Sequence, residues 1–207
     1  MAATVHIVDD DPDVMTAIGR SLKADGLDVA MSRSSREFLD RYDPGVPGCI
    51  VVDLHMPDLD GLQLQQVLAE NGHVPPLVFV SGSADVASCA RAMRAGAIDF
   101  LVKPVEADVL LEAVLRGIQA DAGSRIRHAE ERAAGSLFNL LTVREREVLP
   151  HVIAGRLNKQ IAADLGVALK TVKVHRARIM AKFQVRSVAD LVRIAERAHV
   201  QAANRTR

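Results

Sequence analysis

The sequence predicts an α/β domain built on a five-stranded, doubly wound parallel sheet, followed by a smaller all-α domain with a helix-turn-helix. Three observations carry that expectation. Five short apolar runs, TVHIV (4–8), LDVAM (27–31), CIVVD (49–53), PLVFV (76–80) and IDFLV (98–102), alternate with segments of helical periodicity. The last third of the chain holds only capped helical segments. The net charge of zero conceals a split: residues 1–121 carry 9 Lys and Arg against 19 Asp and Glu, residues 122–207 carry 17 against 7. An acidic half suits a cation or a regulator, and a basic half suits a polyanion.

Strands that are apolar throughout belong to a sheet covered on both faces, and right-handed crossovers leave few topologies. Asp11 stands before Pro12 as a capping carboxylate before a proline at the first helical position. Ser34 and Glu37 have capping-box spacing, and Gly96 marks a helix end before the fifth strand. At 207 residues with 49% hydrophobic content, the chain is ample for two small domains. No apolar run reaches the roughly 20 residues of a membrane helix, and the start MAATVHIVDD shows no export pattern. A cytoplasmic protein without membrane contact is expected. Cys49 and Cys89 lack metal-ligand spacing and are expected as reduced thiols.

In such sheets function collects beyond the carboxyl ends of the strands. The first strand ends in Asp9-Asp10-Asp11, the third in Asp53, the fourth in Ser81-Gly82 and the fifth in Lys103-Pro104. Crowded carboxylates repel, so the cluster calls for a hard divalent cation, best Mg²⁺, and the chemistry implied is phosphoryl transfer. The plainer alternative is a structural ion cluster. IVDDD, VVDLHMPDLDG, VSGSA and AIDFLVKP, in that order, resemble the receiver domain of two-component response regulators, a flavodoxin-like fold. The resemblance implies that Asp53 accepts a phosphoryl group from a histidine kinase. It implies Mg²⁺ held by Asp10, Asp53 and the backbone carbonyl of His55, with Asp9 acting through water. Lys103 would neutralise charge, Ser81 would bond a phosphoryl oxygen, and Phe100 would switch with it. The Lys103-Pro104 bond is expected to be cis. The family usually has a basic residue at the position of His55.

Residues 122–140 read as a largely helical linker between a receiver at 1–121 and a DNA-binding domain at 141–207. The last receiver helix is expected to run on, with a weak point at Gly123, and to end near Gly135. Thr142 and Glu145 form another capping box, Asn158 caps NKQIAADLG, and Gly166 ends that helix before LKTVKVHRARIMAKF. At 100° per residue Val172, Ile179 and Phe183 face the core, leaving Lys170, Lys173, Val174, Ala177 and Arg178 for the major groove. LTVREREVL, NKQIAADLG and TVKVHRARIMAKF resemble the LuxR/FixJ type of DNA-binding domain. By that resemblance Lys173 and Val174 approach bases of double-stranded DNA. Asn158, Lys159, Lys170, Thr171 and Arg176 approach its backbone, and Val188, Leu191 and Val192 form a homodimer surface. RNA polymerase is a further expected partner. Two departures stand out: Ala168 where the family has a Ser or Thr cap, and Pro150 inside a helix, where a bend is expected.

The expected function is a transcriptional regulator, most simply an activator, and not an enzyme beyond its own phosphoryl transfer and dephosphorylation. An aspartyl-phosphate hydrolase is the rival of another class, but Leu54-His55 follows Asp53 where such enzymes place a second acid. A constitutive DNA-binding protein with a vestigial receiver is the nearer rival.

Overall fold

The computed structural model describes residues 3–70, 74–83 and 86–203. Five strands, β1 (Thr4–Val8), β2 (Asp28–Ser32), β3 (Gly48–Asp53), β4 (Leu77–Ser81) and β5 (Asp99–Val102), form one parallel sheet in the order β2-β1-β3-β4-β5. Each lies within one residue of the run that predicted it. Between them run α1 (Pro12–Ala24), α2 (Ser35–Arg41), α3 (Gly61–Glu70) and α4 (Val86–Arg94), and α5 (Ala107–Asn139) follows.

The two-residue period of a strand divides the sheet between two cores. Val5, Ile7, Val51, Val78 and Val80 pack against Met15, Ile18 and Leu22 of α1 and Leu110, Ala113 and Val114 of α5. Val8, Ile50, Val52 and Phe79 pack on the other face against Phe38, Leu64, Leu68 and Ala92, from α2, α3 and α4. β3, at the centre, is buried at every residue.

The helix ends follow the capping chemistry with one change. The Asp11 side chain accepts from the amides of Asp13 and Val14. The Ser34 hydroxyl accepts from the Glu37 amide, but the returning Glu37 carboxylate takes the Arg33 amide rather than that of Ser34. Gly96 adopts a positive φ of 91°, which lets its own amide and that of Ala97 close on Met93 and Ala92.

The expected weak point and end of the linker helix are corrected. α5 is one 33-residue helix that passes through both Gly123 and Gly135 and ends at Asn139. Past Gly135 the half-buried Leu137 and Phe138 pack on the core of the helices that follow, and Phe138 meets Phe183 edge-on. That packing outweighs the roughly 1 kcal/mol that each helical glycine costs.

The chain divides into two compact units, Met1–Ser124 and Arg125–Arg207. The second contains α6 (Val143–Ile153), α7 (Asn158–Asp164), α8 (Leu169–Lys182) and α9 (Val188–Arg197). Leu149, Val152, Ile161, Val172, Ile179, Phe183 and Leu191 form its core. α6 continues through Pro150 to Ile153.

Gly48 starts β3 where no side chain fits. A Cβ there would lie 1.9 Å from the Thr4 carbonyl oxygen of β1, and the Gly48 amide donates to the buried Asp121 carboxylate of α5 at 2.9 Å. Gly48→Ala should destabilise the first unit by about 1–3 kcal/mol, because backbone must move. A urea-unfolding midpoint equal to that of the unaltered protein would contradict this.

Candidate functional site

Parallel registers bring three strand ends together. Asp9 follows β1, its amide bonded to the Ser32 carbonyl of β2. Asp53 is the last residue of β3, level with Val80 of β4, and Ser81 is level with Val102 of β5. Lys103 follows β5, and its amide is held by the Ser81 carbonyl. The Lys103 Nζ donates to Asp9 Oδ2 at 2.8 Å and to Asp53 Oδ1 at 2.6 Å. The Lys103-Pro104 bond is cis.

Asp9 and Asp53 are 2% and 6% exposed, so Lys103 is the near counter-charge for two carboxylates largely removed from water. The remaining oxygens are also engaged: Asp53 Oδ2 accepts from the His55 amide at 2.6 Å, and Asp9 Oδ1 from the Asp11 amide at 2.9 Å. Burial pushes the Asp53 carboxyl above its ordinary range. The Lys103 ammonium pulls it back, and the Asp9 charge adds to the rise. Burial likewise works against the Lys103 charge, but its bonds to Asp53 and Asp9 outweigh that and raise its pKa.

The other expected residues surround this cluster. Asp10 is exposed beside it. Ser81 is fully buried, and its Oγ accepts from the Ser83 amide at 3.3 Å. Phe100 is half-buried and stacked on Phe79, with ring centroids 6.2 Å apart. His55 is exposed, and its Nε2 lies 3.4 Å from Ser83 Oγ. Ala84, the end of the VSGSA motif, lies outside the described residues. Among the described residues, no three His, Cys, Asp or Glu side chains converge as a closed cation cage. Carboxylate oxygens with open positions are the donor set of an ion such as Mg²⁺, which keeps waters and adds phosphate oxygens. The residues present fit such an ion.

In the second unit Val172, Ile179 and Phe183 are buried, while Lys170, Thr171, Lys173, Val174, Ala177 and Arg178 are exposed on α8. Lys159, in the first turn of α7, is exposed as well. Ala168 offers no side-chain cap to α8. Asn158 is not the cap of α7 as expected. Leu157 holds that position, and the Gln160 side chain accepts from its amide at 2.8 Å, so no short polar residue is needed there. Asn158 Oδ1 instead accepts from Arg176 Nη1 at 3.1 Å, tying α7 to the half-buried flank of α8. Leu191 is fully buried in the core, so it is no part of an exposed dimer surface.

The sequence reading missed the clamp that sets the end of α8. Glu145 caps α6, with the Thr142 amide donating to its Oε2, and the same oxygen accepts from Lys182 Nζ at 2.6 Å. Burial alone would raise the Glu145 pKa. The bonds from Lys182 and Thr142 outweigh it and hold the carboxyl below its usual range. The box was legible from spacing, but a lysine 37 residues away was not.

A strand-end aspartate pair bridged by a lysine, in one chain with an exposed basic helix in a helix-turn-helix, points to a class: the two-component response regulators that control transcription. This chain belongs to that family, matching the response regulator receiver domain over residues 5–115 and the luxR family of bacterial regulatory proteins over residues 139–195. It is 38% identical to nodulation protein W of Bradyrhizobium diazoefficiens, over 97% of this chain and 88% of that one. It is also 38% identical to the transcriptional regulatory protein FixJ of Rhizobium meliloti, over 93% of this chain and 94% of that one. The solved structure of the response regulator StyR superposes with a TM-score of 0.83 at 41% identity, covering 95% of this chain and 99% of that one. A receiver domain implies a kinase partner, and a luxR-type domain implies DNA binding. Among the described residues no helix is long and apolar enough to cross a membrane.

The raised pKa of Asp53 has a consequence for stability. Its charge is harder to hold in the folded chain than in the unfolded one. Stability from this group is therefore present at acid pH and is lost as pH rises from the ordinary aspartate value through the higher folded one. Asp53→Asn should be more stable than the unaltered protein at pH 7, and the gap should close as pH falls below about 4. Unfolding midpoints across pH check this; a less stable variant at pH 7 would contradict it.

Proposed function

We propose that a histidine kinase phosphorylates Asp53 in an Mg²⁺-dependent reaction, and that the phosphorylated chain binds promoter DNA as a homodimer and activates transcription, with RNA polymerase as a further partner. The observation that carries this reading is the buried Asp9–Lys103–Asp53 bridge at the carboxyl end of the sheet. A carboxylate oxygen of Asp53 attacks the phosphorus of a phosphohistidine. The N–P bond breaks, its electron pair stays on the imidazole nitrogen, and an acyl phosphate remains on Asp53. Phosphoryl transfer asks little covalent work of the protein and much charge neutralisation. Lys103 already lies within hydrogen-bonding distance of Asp53 and can follow the added charge. The cation would be held by Asp10, Asp53 and the His55 carbonyl, with Asp9 acting through water, and would neutralise charge on the transferring group.

Ser81 supports a switch. Its Oγ accepts from the Ser83 amide and can offer its own proton to a phosphoryl oxygen. Movement of that loop would change the space around Phe100 on the adjacent strand, a two-state element biased by new charge. On α8 the exposed Lys173 and Val174, with Ala177, suit base edges and thymine methyls. Asn158, Lys159, Lys170, Thr171 and Arg176 suit the phosphate backbone, and Arg178 shares the major-groove face.

Incubation with Mg²⁺ and acetyl phosphate, followed by intact-mass measurement, tests the acceptor. One phosphoryl adduct is expected on the unaltered chain, and none with a chelator or in Asp53→Asn. An adduct that survives Asp53→Asn would overturn the assignment.

A further inference from the structure

α3 and α4 pack beside each other on one face of the sheet, with Leu64, Leu68 and Ala92 turned into the core. Between their outer flanks lies a groove of about 330 Å³ with a mostly apolar lining, formed by Leu62, Gln65, Gln66, Ala69, Arg91 and Ala95. Ala69 and Ala95 are exposed and leave room that longer side chains would fill. Gln65, by contrast, is only 2% exposed. Its Nε2 donates to the carbonyls of Ala92 and Ala95 at 3.3 and 3.2 Å. Two carbonyl acceptors can be met only by the amide nitrogen, so the side chain has one orientation and Oε1 points away from them. Among the described residues Oε1 receives no hydrogen bond, and it is not sealed in the interior. A carbonyl oxygen on so buried a side chain needs a donor, and the groove is where one can come from. Arg91 lies four residues before Ala95, on the same side of the helix. Its exposed side chain pairs with no carboxylate among the described residues. Gln66 is engaged along α3, where its Nε2 donates to Glu70 at 3.0 Å.

The groove therefore offers an apolar wall, an unpaired cation and an unfilled acceptor. We propose that it binds a small amphipathic carboxylate, with the carboxylate on the Arg91 guanidinium, a hydroxyl or amine hydrogen on Gln65 Oε1, and an apolar body against Leu62, Ala69 and Ala95. Arginine suits the anionic end because its paired N–H donors match the two oxygens of a carboxylate. A few placed polar groups in an apolar wall are the usual pattern of a small-molecule site, and this volume lies at the small end of the range. That size suits a one-ring molecule and is too small for a dinucleotide. None of the lining residues belongs to the Asp9–Lys103–Asp53 bridge, so the site does not depend on phosphoryl chemistry at Asp53.

The test is a nitrogen-15 NMR titration of the full chain with three rigid probes of increasing length: para-hydroxybenzoate, para-hydroxyphenylacetate and para-hydroxyphenylpropionate. At least one should give saturable shifts in the millimolar range at the Gln65 side-chain amide and at the backbone amides of Leu62, Ala69 and Ala95. The best probe should bind about tenfold more weakly once its hydroxyl is removed, and about tenfold more weakly as its uncharged carboxamide. Arg91→Ala should weaken it to a similar degree, and Ala69→Leu, which fills the groove from an exposed helix position, should abolish the shifts. Melting temperatures equal to that of the unaltered chain establish that both variants are folded. No saturable shift at these residues with any of the three probes would overturn the proposal. So would shifts that persist in both Arg91→Ala and Ala69→Leu, which place the probe elsewhere. So would equal binding of the carboxylate and its carboxamide, which removes any role for the Arg91 charge.

Discussion

Two carboxylates from different strands share one ammonium at the carboxyl end of the sheet, and most of the first unit serves to keep them there. Asp9 and Asp53 are nearly sealed from water, and a buried carboxylate without compensation would take up a proton instead. Lys103 supplies the compensation from a third strand. Its placement needs β5 in register with β4, and the Lys103 amide on the Ser81 carbonyl fixes that register at the site itself. Asp53 in turn needs the fully buried β3, which can be central only because Gly48 lets β1 approach closely. The arrangement sets burial, which raises the Asp53 pKa, against the bonds from Lys103 and the His55 amide, a balance that added positive charge or phosphorylation can change.

The same logic separates the two halves chemically. The first unit uses charge inside the protein, where burial magnifies it and each group needs a named partner. The second displays charge outside: Lys159, Lys170, Lys173 and Arg178 are exposed, while the buried acid Glu145 is paired with Lys182. An exposed cation remains available to a polyanion, whereas a paired one fixes the position of the helix that carries the others. The α8 helix uses both kinds, anchored through Lys182 and Arg176 and open along its outer face.

Much of this was legible in the sequence. Apolar, often β-branched runs placed the strands to within a residue, and the polar residues ending them named Asp9, Asp53, Ser81 and Lys103, because strand ends gather in parallel sheets. Helical periodicity sorted α8 into buried Val172 and Ile179 and exposed Lys170, Lys173 and Val174. The failures have a common cause, long-range packing that overrides local preference. Gly123 and Gly135 read as breaks, yet α5 continues because Leu137 and Phe138 have a core to meet. Asn158 read as a cap from its residue type, but Gln160 performs that role and Arg176 claims the Asn158 oxygen. Leu191 read as interface from the family resemblance, which does not say which neighbour its side chain meets, and here it meets the core. The Asp121–Gly48 and Lys182–Glu145 pairs depend on residues distant in sequence and left no local trace.

Lys103 favours the ionised form of Asp53 in a site whose burial favours the protonated one. Carbon-13 NMR of the aspartate carboxyl groups, titrated in the unaltered chain and in Lys103→Met, measures this directly. The Asp53 carboxyl should titrate above the ordinary aspartate range in the unaltered chain and higher still without the lysine. A midpoint at or below the ordinary range, or one that Lys103→Met leaves in place, would contradict the account.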